Sequence, residues 1–181
     1  MKQRSYSDEG IVLARRNYGE ADRILSVYTK NHGRVSFIAK GIRRPASRKR
    51  GHLEVFNQFK FQAASGRGLD MLTEAEIIES FSEVRKSLKK ISLAYYFMEV
   101  IGRITHEGER NEELYSHVLE NLRMLKFETK LKALRTNFVY NLLTVLGYWP
   151  RGKALISVDE KLEEVIERNI SSVRVGKRLV E

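Results

Sequence analysis

Cysteine is absent from the 181-residue sequence, which excludes a disulfide framework, a thiolate zinc site and a cysteine nucleophile. Long apolar runs are also absent, because none approaches the roughly 20 residues that cross a membrane. Residues 1–10 lack the apolar centre of a signal peptide, so we expect a cytoplasmic protein without a membrane partner. What is present, 42% hydrophobic and 9% aromatic residues, is the composition of a folded domain.

Acidic residues are scarce in the first third of the chain. Residues 1–67 contain 15 Lys and Arg but 5 Asp and Glu, whereas the whole sequence has 33 basic and 23 acidic residues and a net charge of +10. The positive excess therefore lies entirely in the first third, and the remainder is neutral. Such asymmetry favours a nucleic acid or another acidic surface as the partner of the first third, and a packing or protein-contact role for the rest.

The first eighty residues have the pattern of a small β-domain. Asn31 and Gly33 mark a turn between two alternating segments, which predicts a β-hairpin. Five extended segments are present in all, although the last would also suit a helix around residues 74–76. A core this small closes most economically as a barrel, which leaves few open edges. The five segments are residues 11–14, 24–28, 34–39, 53–62 and 69–78.

After residue 80 the apolar residues recur every three or four positions, as one face of a helix requires. Three such stripes are present, and Gly147 with Pro150 marks the end of the third. Ser157 and Glu160 have capping-box spacing and open a fourth helix. We therefore expect an α+β chain, with a five-stranded barrel in residues 1–80 and an all-helical domain in residues 81–181. The stripes are Leu88, Ile91, Tyr95, Met98 and Ile101, then Leu114, Val118, Leu122 and Leu125, then Leu131, Leu134, Phe138, Leu142 and Val145.

Residues 40–50 hold six cations and no acid, together with the turn residues Gly41, Pro45 and Ser47. Repulsion among six like charges does nothing for a fold, whereas nucleic-acid phosphates would neutralise them and release counterions. We predict an exposed, mobile, phosphate-binding loop between the third and fourth strands. The alternative is a merely solvated loop. Its cations are Lys40, Arg43, Arg44, Arg48, Lys49 and Arg50.

Aromatic residues of the predicted sheet are candidates for stacking on unpaired bases. The alternative for each ring is burial in the barrel, whose interior must be filled. The candidates are Tyr18, Tyr28, Phe37 and Phe56.

Catalytic or metal-binding patterns are weak. The four histidines are scattered without carboxylates at metal-ligand spacing. Residues 65–68 contain two glycines but lack the ending of a nucleotide-binding P-loop, so a β-turn is favoured. Glu20 and Asp22 lie among arginines, and local ion pairing explains them better than an acid–base dyad. We expect neither an enzyme nor a cofactor nor a metal.

Three segments together resemble the RecO family of DNA repair proteins. They are Tyr-Gly-Glu-Ala-Asp-Arg at residues 18–23, Ala-Lys-Gly-Ile-Arg-Arg-Pro-Ala-Ser-Arg at 39–48 and Leu-Leu-Thr-Val-Leu-Gly-Tyr-Trp-Pro at 142–150. The resemblance implies an oligonucleotide-binding (OB) barrel followed by a helical domain. Many family members insert a four-cysteine zinc module after the third segment, and this chain, without cysteine, departs from them there.

The resemblance also implies a recombination mediator. Such proteins bind single- and double-stranded DNA, anneal complementary strands and, with RecR, load recombinase onto DNA coated with single-stranded-DNA-binding protein. The location implied is cytoplasmic, at the nucleoid during repair. The alternative function is an OB-fold adaptor that binds RNA or an acidic protein without annealing. The expected DNA contacts are Arg15, Arg23, Arg34, Lys40, Arg43, Arg44, Arg48, Lys49 and Arg50, and Arg23 could instead be held by Glu20 or Asp22.

The helical domain is expected to contact partner proteins. An apolar groove bearing one or two cations would accept an acidic, hydrophobic peptide. The resemblance implies that this peptide is the acidic carboxyl-terminal tail of the single-stranded-DNA-binding protein. The candidate cations are Arg103, Lys132 and Arg135.

Overall fold

The computed structural model describes residues 5–47 and 51–166. The chain forms two compact units, a strand-rich one and a helical one. The strand-rich unit comprises residues up to Ser80 together with Thr105–Asn111, and the helical unit comprises Phe81–Ile104 and the chain from Glu112 onward. The short segment Thr105–Asn111, which lies between two helices in the sequence, thus belongs with the strands.

The strand-rich unit is a closed five-stranded barrel with the order β1-β2-β3-β5-β4. All neighbouring pairs are antiparallel except β3 and β5, which are parallel. The long first strand pairs with β4 through its first half and with β2 through its second, and register irregularities in β1 and β4–β5 help the sheet to curve and close. The five predicted strands and the OB-fold architecture are confirmed. The strands are β1 (Ser5–Tyr18), β2 (Asp22–Thr29), β3 (Gly33–Ala39), β4 (Gln58–Ala64) and β5 (Asp70–Glu79).

Alternation along the strands builds the barrel core. In β2 the side chains of Leu25 and Val27 face inward and are fully buried, and in β3 Phe37 is fully buried at the position that pairs with Leu25. Phe61 packs edge-on against Phe37, with 4.9 Å between the ring centroids. Because successive strand residues point to opposite faces, the residues between these positions face outward.

The segment Thr105–Asn111 extends the barrel along β3. Arg34 and Glu107 form an isolated parallel bridge, and the Gly108 N–H donates a hydrogen bond to the Arg34 carbonyl (3.0 Å). The Ser36 hydroxyl donates to Glu107 Oε1 (2.9 Å). A β-carbon at Gly33 would contact the Glu109 backbone, and Gly33 also has a φ of 65° that favours glycine. The segment therefore covers part of an edge that β5 leaves unpaired.

Within residues 81–166, the described part of the helical unit contains the four helices that the periodicity predicts, preceded by a 3-10 turn, Val84–Lys86. The Phe97 and Phe138 rings stack at 3.9 Å between centroids in its core. Among the described residues, no helix has the length and apolarity needed to cross a membrane. The helices are α1 (Leu88–Ile104), α2 (Glu112–Met124), α3 (Leu131–Val145) and α4 (Val158–Ile166).

The predicted buried face of α1 is wrong in part. Leu88 is 70% exposed and Tyr95 is 44% exposed, whereas Phe97 and Val100 are fully buried. From Ile91 onward this helix carries apolar residues on most sides. Its apolar spacing therefore does not select one face, and tertiary packing decides which side is covered.

Candidate nucleic-acid interface

The turn between β1 and β2 lies beside the end of β3, where the basic loop begins. Tyr18 pairs with Asp22 at the end of the hairpin, and Arg23 pairs with Ala39, the last residue of β3. Cations from the end of β1, the start of β2 and the segment after β3 consequently meet at one end of the barrel. We call this set the cation cluster; its described members are Arg15, Arg16, Arg23, Lys40, Arg43 and Arg44.

Hydrogen bonds fix the basic loop against this turn. The Gly41 N–H donates to Asp22 Oδ1 (2.7 Å), and the Arg43 N–H donates to the Ala21 carbonyl (2.9 Å). The Arg43 guanidinium also donates, through Nη1, to the Gly19 carbonyl (3.3 Å). Arg43, which is distant in sequence from the β1–β2 turn, is thereby placed next to it.

The described part of the loop is tied to the barrel by one buried side chain and by backbone hydrogen bonds. The Ile42 side chain is fully buried in the barrel core, although both its neighbours are accessible. The Arg44 N–H donates to the Gly41 carbonyl (3.1 Å), and the Ser47 N–H donates to the Arg44 carbonyl (3.0 Å). One apolar side chain at the centre of a charged segment therefore ties it to the core. Arg48, Lys49 and Arg50 lie outside the described residues.

Arg15 and Arg23 lie at the mouth of the barrel. Arg15 pairs with Leu25 and Arg23 pairs with Ala39, and both partners belong to the core. Because paired strand residues face the same side of the sheet, the two arginines face the barrel interior at its end. Arg23 donates through Nε to Asn17 Oδ1 (3.3 Å). Their side chains are 29% and 16% exposed. Both cations are thus positioned by the barrel and remain partly accessible.

Arg23 has an acidic neighbour from a distant part of the chain. Asp22 uses its carboxylate to hold the Gly41 N–H. Glu54, which follows the basic loop, accepts a hydrogen bond from Arg15 (2.5 Å), and the same oxygen is 4.0 Å from Arg23 Nη1. The acid beside Arg23 therefore comes from 31 positions along the chain, where no local pattern could reveal it.

Arg16 and Arg34 change the predicted set of contacts. Arg16 is exposed on the outer face of β1, opposite Ile24, and sequence reasoning missed it. The signal was the Arg15–Arg16 pair, since neighbouring strand residues point to opposite faces. Arg34 lies near the start of β3, at the far end from the cluster, beside Glu107. The structure therefore does not bring Arg34 together with the other predicted cations that it describes.

Of the proposed stacking residues, only Tyr18 offers an accessible ring. Its side chain is 51% exposed at the end of β1, beside the cation cluster. Tyr28, Phe37 and Phe56 are fully buried, and burial raises the pKa of Tyr28 to about 12. The stacking assignment of these three rings is wrong because the barrel uses them to fill its interior.

The predicted peptide-binding cations do not form one surface. Arg135 is 5% exposed and donates two hydrogen bonds to Asp159, at 2.6 and 3.0 Å, so it is a buried structural cation. Its assignment to a peptide groove is wrong. Arg103 forms an ion pair with Glu99 (2.8 Å) one turn earlier on α1, and Lys132 is exposed in the first turn of α3.

An apolar surface of the helical unit was missed by sequence reasoning. Phe127 is 84% exposed and Met124 is 49% exposed, at the end of α2 and in the following loop. Lys90 of α1 donates a hydrogen bond to the Lys126 carbonyl (2.9 Å), which brings the first turn of α1 to this loop. Exposed aromatic and thioether side chains beside lysines suit a partner with apolar and acidic groups.

No cluster of three or more potential metal ligands occurs among the residues that the structure describes. His117, a buried histidine of α2, bonds within its own unit: Nε2 lies 3.0 Å from the Phe138 carbonyl. Burial lowers the pKa of this histidine. The cation cluster on the barrel is consequently the strongest candidate site.

Comparisons with known proteins agree with this architecture. The family model described as "Recombination protein O N terminal" matches residues 1–81, which include the whole barrel. The model described as "Recombination protein O C terminal" matches residues 85–164, which include α1, α2, α3 and most of α4. The chain belongs to the RecO family.

Curated relatives carry the name DNA repair protein RecO. The one from Pelotomaculum thermopropionicum is 38% identical over 145 residues, which cover 80% of this chain and 56% of that protein. The relative from Rubrobacter xylanophilus is 39% identical over 148 residues, or 81% and 59%. The relative from Roseiflexus sp. is 33% identical over 151 residues, or 83% and 53%. The chain therefore spans little more than half the length of these relatives.

Proposed function

We propose that this chain acts in DNA repair by binding single- and double-stranded DNA through the cation cluster and promoting the annealing of complementary strands. The observation that carries the proposal is the convergence of Arg16, Lys40, Arg43 and Arg44 on one end of the barrel, fixed by the Asp22–Gly41 hydrogen bond. Because the loop backbone is already held in place, little conformational entropy of the loop is lost when its cations bind phosphates.

The proposed mechanism is electrostatic. Cations from three segments neutralise phosphates on two strands at once, which lowers the repulsion between the strands and releases counterions. Arginine suits this role because its planar guanidinium can hold two phosphate oxygens. Phosphate contacts carry little sequence information, so any sequence preference should be slight. Tyr18, beside the cluster, can stack on an unpaired base.

Protein partners complete the proposal. The helical domain contacts the acidic tail of the single-stranded-DNA-binding protein, and the chain works with RecR to load recombinase onto DNA coated with that protein. For the tail we favour the surface around Phe127 and Met124, since it combines exposed apolar side chains with Lys126 and the nearby Lys90. An acidic, hydrophobic peptide matches both features. During repair the protein would act at the nucleoid.

A strand-annealing assay tests the proposal. Complementary strands are coated with the cognate single-stranded-DNA-binding protein, with or without its acidic tail. We expect annealing by this chain to be fast on strands coated with the intact protein and slow when the tail is missing. If the chain prefers RNA to DNA in gel shifts and does not anneal bare DNA strands, the proposal is wrong. The alternative function, an OB-fold adaptor without annealing activity, would then hold.

A further inference from the structure

Glu54 is an acid built into the most basic part of the barrel. It is the only Asp or Glu between residues 23 and 69, and its carboxylate contacts Arg15 and approaches Arg23. Two arginines thus share one carboxylate at the mouth of the barrel. The local balance remains positive, and Arg16, Lys40 and Arg43 add to it from the surrounding segments.

The backbone on both sides of Glu54 is firmly held. Leu53 is fully buried and Val55 is 5% exposed, so the side chains that flank Glu54 are packed in the interior. The Phe56 N–H donates to the Val12 carbonyl (2.8 Å), and the Asn57 N–H donates to the Glu54 carbonyl (3.0 Å). The carboxylate therefore contacts the two arginines from a backbone position that the barrel core fixes.

This contact is accessible and exchangeable. The Arg15 and Glu54 side chains are 29% and 34% exposed, and partly exposed ion pairs of this kind are weak. A phosphodiester oxygen offers the same chemistry as a carboxylate oxygen toward a guanidinium, with equal charge and a geometry that arginine matches well. A nucleic-acid phosphate can consequently replace the carboxylate with little net loss of interaction.

We infer that Glu54 is an internal competitor of nucleic-acid phosphates at a subsite formed by Arg15 and Arg23. In the free protein the carboxylate occupies the phosphate position between the two arginines. On binding, a backbone phosphate takes its place and the carboxylate turns toward solvent. The inference rests on the proposed function and adds one subsite, with its regulator, to the cation cluster. Its consequence is that Glu54 weakens binding of every nucleic-acid strand, whatever the sequence.

The test measures the affinity of the full chain for a fluorescently labelled oligonucleotide of mixed sequence at several salt concentrations. Glu54→Gln should bind about three to ten times more tightly than wild type, because a weak competing ion pair is removed. The dependence of log affinity on log salt should stay close to that of wild type, because a backbone phosphate occupies the subsite in both complexes. The double variant Arg15→Gln/Glu54→Gln should lose this gain.

Glu9→Gln is the matched control. Glu9 is also a partly exposed carboxylate of the barrel, paired with Lys30 at 3.2 Å, but it lies nine positions before Tyr18 along β1. Glu9→Gln removes one negative charge, as Glu54→Gln does, and should leave the affinity for the oligonucleotide within about twofold of wild type. An equal gain in Glu9→Gln, or unchanged or weaker binding by a Glu54→Gln protein that unfolds at the wild-type urea midpoint, overturns the inference. Salt-insensitive binding by wild type would instead overturn the proposed function.

Discussion

The Asp22 carboxylate accepts a hydrogen bond from the backbone N–H of Gly41, 19 residues later, at 2.7 Å. This contact joins the turn between β1 and β2 to the first residues of the basic loop. Gly41 has a φ of 65°, a conformation in which glycine is strongly favoured. Together the two residues set the direction in which the chain leaves the barrel, and hence the positions of Lys40, Arg43 and Arg44.

Replacing Asp22 by Ala should destabilise the barrel, because a hydrogen bond to a charged acceptor is lost. We expect a loss of about 1–3 kcal/mol in the free energy of unfolding, measured by urea titration. Glu20→Ala removes an exposed carboxylate from the same turn and serves as the control, with an expected change below about 0.5 kcal/mol. Equal stabilities of the two variants would show that the Asp22–Gly41 contact does not hold the loop.

The Asp8 carboxylate stabilises the β2–β3 turn. It accepts hydrogen bonds from the Glu9 N–H, from the backbone and side-chain N–H groups of Asn31, and from His32 Nδ1, all at 2.8–2.9 Å. A carboxylate only accepts, so Nδ1 of His32 carries the proton in this contact. Burial alone would raise the pKa of Asp8, but these hydrogen bonds outweigh it and the pKa is lowered.

This lowered pKa predicts an acid-sensitive contribution to stability. Asp8 should stabilise the fold above its unfolded-state pKa of about 4, and the contribution should disappear as pH falls through the lower, folded-state value. Asp8→Asn should therefore lose about 1–3 kcal/mol at pH 7 and less at pH 2 to 3. Urea unfolding between these pH values measures the difference, and parallel pH profiles for wild type and variant would contradict it.

The Arg135–Asp159 pair should be structural and not part of a peptide site. The Arg135 side chain is 6% exposed and that of Asp159 is 18% exposed, and two hydrogen bonds join them. Arg135→Ala leaves a largely buried carboxylate without its bidentate partner and should cost about 3–5 kcal/mol. The double variant Arg135→Met/Asp159→Leu should recover most of this loss in thermal or urea unfolding, because it removes both charges. A double variant as unstable as the single one would show that the contact matters for another reason.

Much of the fold was predictable because local patterns determine it. Alternation around Leu25, Val27 and Phe37 predicts β2 and β3, and the step of three or four residues predicts the helices. Charge density alone predicts the basic loop. In each case the property that identifies the element, a period or a local excess of charge, is written in consecutive residues.

The remaining features depend on contacts between distant residues. Nothing in the sequence near Arg135 indicates a carboxylate 24 positions later, and Arg135 lies among the buried residues of α3 instead of on its polar face. Ile42 looks like a minor apolar residue within a charged run, yet it anchors that run in the core. Tyr28 suits either stacking or burial by type, and closure of the barrel decides for burial. A residue type such as arginine or tyrosine suits several roles, and the tertiary contacts decide which role each residue has.

The central claim, that the cation cluster binds nucleic-acid phosphates, is tested most directly by the salt dependence of oligonucleotide affinity. The measurement compares wild type, Arg43→Glu/Arg44→Glu and the control Lys30→Glu/Lys60→Glu between about 50 and 200 mM salt. The control makes the same change in net charge beside Glu9, on the same barrel. The account predicts that only the first variant loses affinity by at least about tenfold at the lower salt concentration and that its slope of log affinity against log salt becomes shallower by about two. Equal losses in both variants, or an unchanged slope in the first, would contradict it.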